Sequence, residues 1–165
     1  MILLFNHIYY LYLDNLINQW SFKSDLKDSI RSCDFNISYG YAEFSKDRFG
    51  NYWRSLYLFN QYAHAPTSTY FYNEFSIIIW FKKYYVSNYY DSIALFDFSF
   101  DNSHNIGLKI LLNNILFWTK NNANGSIINL DSNCKTNYDQ WYHIALTYSN
   151  KSKLIKLYVN GVRVN

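Results

Sequence analysis

A chain of 165 residues, half of them apolar and 22% aromatic, suits one domain whose core buries about 70% of the unfolded surface. The net charge of +3 is scattered, and no basic run exceeds Lys82-Lys83, so the electrostatic footprint of a nucleic-acid binder is missing. No stretch is apolar and long enough for a membrane helix, and no membrane insertion of the domain is expected.

In chain order, residues 1–13 are apolar but lack a basic start and a small-residue cleavage site. They are set apart as an N-terminal leader or linker, with a strand from a longer protein as an alternative, and residues 14–165 are assigned to the domain. Leu16 to Phe22 reads as a first strand, Asp25 to Ser29 as a turn, and Ile37 to Phe44 as a second strand. Ser45 to Asn51 is a polar loop around Gly50, Ser55 to Asn60 a strand, and Pro66 marks the end of the next loop. Phe75 to Lys82 has Phe75, Ile77, Ile79 and Phe81 on one face and Ile78 and Trp80 on the other, which predicts a central strand covered on both sides.

Further strands are expected over Ser92–Phe100, Ile106–Leu112, Ile115–Thr119 and Ser126–Leu130, the last entered through an Asn124-Gly125 turn. Trp141–Tyr148 and Leu154–Val159 form a hairpin, closed by Asn160-Gly161, a dipeptide in which both residues accept φ > 0. No apolar pattern holds helical period, so the pattern predicts an all-β sandwich. Cys33 and Cys134 allow one disulfide or two free thiols, and neither has zinc-site spacing. The sequons at Asn36, Asn124 and Asn150 are no more than this Asn- and Ser-rich composition produces by chance.

The strand Trp141-x-His143-Ile144-Ala145-x-Thr147-Tyr148, followed by Leu157-Tyr158-Val159-Asn160-Gly161, resembles the laminin G-like, concanavalin A-like lectin family. Phe75-Ser76-Ile77-Ile78-Ile79-Trp80-Phe81-Lys82 and Asp47-Arg48-Phe49-Gly50-Asn51 fit the same resemblance, in the right order. It implies an antiparallel, two-sheet jelly-roll β-sandwich. It also implies that strands follow Asn165, so the chain is expected to be a fragment. The function it implies is a non-catalytic module of an extracellular or cell-surface protein, with glycan or protein ligands. The alternative is a structural spacer without a ligand of its own.

Candidate chemistry is sparse. The two glutamates, Glu43 and Glu74, stand far apart, and no nucleophile elbow is present, so enzyme activity is not expected. His143, inside a Trp- and Tyr-rich strand, reads as structural. Asp47, Arg48 and Asn51 read as architectural, with Arg48 pairing a carboxylate and Gly50 permitting the turn. Asp101, Asn102 and Asn105 offer the oxygen donors that Ca²⁺ prefers, and calcium-bearing relatives place such a loop at a rim. Tyr85 and Tyr90 are candidates for stacking on sugar rings, although neighbouring aromatics on a strand are expected to split between core and solvent.

Overall fold

The computed structural model describes the backbone of residues 2–12, 15–70, 74–85, 92–101, 104–111, 113–121 and 126–164. Side chains are described over 16–70, 74–85, 92–98, 106–111, 113–115 and 131–164. The strands are β1 (Ile2–Tyr12), β2 (Asn15–Trp20), β3 (Asn36–Ile37), β4 (Glu43–Ser45), β5 (Ser55–Phe59), β6 (Ala63–His64), β7 (Glu74–Tyr84), β8 (Ser92–Asp101), β9 (His104–Leu111), β10 (Asn114–Asn121), β11 (Ser126–Lys135), β12 (Trp141–Ser149), β13 (Leu154–Val159) and β14 (Val162–Arg163). Among the described residues every named ladder is antiparallel and there is no helix.

Two compact units arise. The first, Met1–Val86 with Tyr138–Arg163, holds the larger sheet in the order β14-β13-β12-β7-β1-β5-β4. The segment 2–12, set apart above as leader or linker, lies inside this sheet as β1. One edge of β1 pairs with β7, and the other is shared between β5 and β2.

β7 is central in the sheet, as its apolar run predicts, but the expectation of cover on both faces is corrected. Phe75, Ile77, Ile79, Phe81 and Lys83 are buried, whereas Ile78, Trp80, Lys82 and Tyr84 are only half-buried. Neighbouring strands continue the buried face with Tyr142, Ile144 and Leu146 of β12, Leu157 and Val159 of β13, and Leu56 and Leu58 of β5. This aliphatic and aromatic face is the core of the unit.

The predicted Ile37–Phe44 strand is also corrected, because it breaks into β3 and β4 around a bend at Ser38–Gly40. Gly40 takes φ +76°, a conformation that leaves the extended region and that glycine adopts without steric cost. Both pieces keep one register with their partners, from Asn36 opposite His64 to Ser45 opposite Ser55. The result is a single interrupted hairpin whose tip is the Lys46–Arg54 loop. At the other end of the unit, Asn160 and Gly161 take φ +49° and +80°, the paired positive values that a tight hairpin turn requires.

The second unit, Ser87–Asn137 with Val164–Asn165, is a meander in the order β11-β10-β9-β8. Ile93, Leu95, Leu108, Ile110 and Ile115 are buried in it. Thr136 closes the β9–β10 turn by donating its backbone N–H and its hydroxyl to the Asn113 carbonyl, at 2.8 and 3.0 Å. Asn124-Gly125 lies outside the described residues. Cys33 and Cys134 are both free thiols, and burial raises the Cys134 pKa.

Candidate recognition face

The half-buried face of β7 and β12 gathers chemistry that local sequence does not. Trp80 stands opposite His143, and Lys82 opposite Trp141. The Trp80 and His143 rings lie 4.8 Å apart between centroids. The Arg48 guanidinium sits 4.3 Å from the Trp80 ring and 4.3 Å from the Phe49 ring. One row along, the Lys82 ammonium lies 4.7 Å from the Tyr84 ring and 5.6 Å from that of Trp141. Two indoles on diagonal positions of adjacent strands are thus interleaved with two cations.

Arg48 reaches this face because its loop is locked. The Asp47 carboxylate accepts the backbone N–H groups of Phe49 and Asn51 at 2.8 and 2.9 Å, and the Asn51 amide at 3.1 Å. Burial would raise the Asp47 pKa, but these bonds and the Arg48 charge outweigh it and hold the carboxyl below 3.8. Gly50, at φ +86°, makes the turn. The architectural role read for Asp47 and Gly50 therefore has a geometry, and Arg48 has a stacking role besides.

His143 is fixed through its backbone. Its N–H donates to the Asn160 side-chain oxygen at 2.9 Å, and its carbonyl accepts the Asn160 N–H at 2.8 Å. Burial, then the Arg48 charge, lowers the His143 pKa below 6.5, so the ring is neutral at neutral pH. The unfolded chain binds this proton more readily, so the contribution to stability is full above pH 6.5 and declines as pH falls toward the lowered value. Urea unfolding at neutral pH and at about pH 5.5 is expected to show a loss of stability that His143→Gln reduces. An equal loss in the variant would remove His143 as its source.

Tyr85 is 68% exposed just past β7, and its edge meets the Tyr138 ring at 5.3 Å. The buried Lys83 ammonium lies 4.4 Å from the same Tyr138 ring. The expected split of neighbouring aromatics between core and solvent fails here, since Tyr84 is half-buried on the outer face and Tyr85 has left the strand. Tyr90 and Asn102 lie outside the described residues, as do the side chains of Asp101 and Asn105. The backbone places Asp101 opposite His104 and Asn105 opposite Ser99 in the β8–β9 ladder. Among the described residues, no three His, Cys, Asp or Glu side chains group together as a metal site would require.

The described strands make an all-β, antiparallel domain, the class of the concanavalin A-like β-sandwiches. Residues 59–165 match the laminin G type 3 family, described as the concanavalin A-like lectin/glucanases superfamily, and the chain belongs to that family. Its fold class is accordingly the two-sheet, antiparallel jelly-roll sandwich. Comparison with curated proteins finds no match, and comparison with solved structures finds none. The matched region contains Trp80, Lys82, Trp141 and His143, whereas Arg48 precedes it.

Proposed function

We propose that this domain is a non-catalytic recognition module, that its binding surface is the β7–β12 outer face, and that acidic glycans are its ligand class. The observation that carries the reading is the interleaving of Trp80 and Trp141 with Arg48 and Lys82. Indole faces suit the apolar faces of sugar rings, and guanidinium and ammonium groups suit carboxylate or sulfate substituents. Tyr85, exposed just past β7 and beside Tyr138, is a separate candidate for ring stacking.

The two glutamates do not form a glycosidase pair with each other. Glu43 is in line with Lys82 through Tyr57 and Leu4, three strand spacings away, or about 14 Å. Glu74 lies a further eight residues along β7, about 26 Å, and its carboxylate accepts the Ser149 hydroxyl at 2.8 Å. Glycosidase carboxyl pairs are separated by about 5–9.5 Å, so these two cannot act together.

The test is retention of the domain on immobilised sulfated or uronic-acid oligosaccharides compared with their neutral counterparts. Retention by the acidic set, weakened about tenfold or more in Trp141→Ala at an unchanged melting temperature, is the expected result. Retention by none would favour a spacer domain. Calcium enters this reading only through Asp101, Asn102 and Asn105. If that hairpin end binds Ca²⁺, saturating calcium raises the melting temperature by several degrees over EDTA, and an unchanged melt removes calcium from the reading. An extracellular or cell-surface setting, within a larger protein, accords with a glycan ligand.

A further inference from the structure

The tip of the interrupted hairpin sends Arg48 to the face just described, and it also carries three large rings that the core does not take up. Between Lys46 and Arg54, Phe49 is 72% exposed, Tyr52 67% and Trp53 60%. Burial of such side chains normally contributes about 1.5–3 kcal/mol each, so three left in water within five residues form a concentrated apolar surface. The loop that carries them is rigid. Besides the Asp47 bonds above, Gly50 N–H donates to the Asp47 carbonyl at 3.1 Å, Arg54 N–H to the Ser45 carbonyl at 3.0 Å, and the Ser55 hydroxyl to the Lys46 carbonyl at 2.8 Å.

Trp53 itself is held at φ +59°, a left-handed conformation that is costly for a bulky residue. Ser24 donates its hydroxyl to the Trp53 carbonyl at 3.4 Å. The Trp53 ring is thus exposed on a loop closed by its own hydrogen bonds.

The charge around the rings is of one sign. Lys46 and Arg54 are the cations of the tip besides Arg48, which is seated against Trp80, and its one carboxylate, Asp47, is buried and engaged by the loop's own donors. The Lys46 ammonium lies 4.4 Å from the Tyr52 ring. Trp, Tyr and Phe beside Lys and Arg is the combination that settles at a bilayer interface, where rings reach the headgroup and acyl boundary and cations meet anionic lipid.

We infer that the Lys46–Arg54 tip docks the domain on an anionic membrane surface, with Phe49, Tyr52 and Trp53 inserted to headgroup depth. No part of the chain needs to cross the bilayer for this, and Tyr52 and Trp53 are not among the residues assigned to glycan recognition, although the tip shares Arg48 with that face. It predicts additive attraction from rings and charge, so adhesion weakens both with added salt and with loss of a ring.

The test is co-sedimentation of the full chain with phosphatidylcholine vesicles that contain one-third phosphatidylserine, against vesicles of phosphatidylcholine alone. Trp53→Gly is the informative variant, because glycine adopts the positive φ without strain and leaves the loop intact. Wild-type protein is expected to sediment with the anionic vesicles in a salt-sensitive way, and Trp53→Gly to partition about tenfold less at an unchanged melting temperature. No sedimentation of wild-type protein, or equal sedimentation of Trp53→Gly, would overturn the inference. Self-association of wild-type protein in the ultracentrifuge, without vesicle binding, would overturn it in favour of a protein partner.

Discussion

Asp28→Ala is expected to destabilise the fold by about 2–4 kcal/mol, a large part of the 5–15 kcal/mol typical of a whole domain. The Asp28 carboxylate is buried and gathers one turn around itself. Backbone N–H groups of Gln19, Ile30, Arg31 and Cys33 donate to it at 2.8, 3.1, 3.2 and 3.3 Å, and the buried Asn18 amide donates as well. Asp28 also bridges to Trp20, whose indole N–H donates to the Cys33 carbonyl at 2.8 Å. Removing the carboxylate leaves these donors without their acceptor beside the Trp20–Phe35 ring contact.

Burial acts to raise the Asp28 pKa, but the bonds from Gln19, Asn18, Ile30 and Cys33 outweigh it and hold the value below 3.8. The stabilisation is therefore full above pH 3.8 and lost as pH falls through the lowered value. Urea unfolding of Asp28→Ala and Asp28→Asn measures this. Asn, which keeps an acceptor oxygen, is expected to fall between wild type and Ala. A loss below about 1 kcal/mol for Ala would contradict the role assigned to Asp28.

Phe81→Ala is expected to cost about 3–5 kcal/mol, through lost burial and the cavity left behind. Phe81 has no exposed surface, lies on the central strand β7, and stacks on Tyr142 at 5.6 Å. Its row runs through Phe5 to Leu56 on one side and to Tyr142 on the other, so the cavity would open between strands fixed by two ladders. Such a frame collapses poorly. Phe81→Leu, which keeps most of the apolar volume, is expected to lose less in the same urea series. Equal losses for Leu and Ala would point to the ring contact with Tyr142 rather than to volume.

The parts legible in the sequence were those whose signal is local. Alternation along Phe75–Lys82 assigned Ile77, Ile79 and Phe81 to one face, and the structure buries all three. Asn160-Gly161 announced its turn because few residue pairs accept two positive φ values. The bend at Ser38–Gly40 was missed because Gly40 interrupts an otherwise alternating run, and period alone does not reveal a positive φ. The place of β1 in the sheet was hidden because it rests on pairing with β5 and β7, both distant in sequence.

The grouping of Arg48, Trp80 and His143 was illegible for the same reason. Arg48 read as a loop residue and His143 as a structural one, and only the register of β7 with β12 and the fold of the Asp47 turn bring them to Trp80. Partial cover of the second face of β7 could not be read from Ile78 and Trp80, since an apolar side chain on a strand suits a core and a binding surface equally.

The central claim is that ligand meets the Trp80 and Trp141 face, and the indole N–H signals in a two-dimensional nitrogen–proton spectrum test it directly. The chain has five tryptophans, and Trp20, buried and bonded to the Cys33 carbonyl, serves as an internal control. On titration with a sulfated hexasaccharide, the Trp80 and Trp141 signals are expected to shift together and saturably while that of Trp20 stays in place. Saturable binding that leaves both Trp80 and Trp141 unmoved would contradict the account.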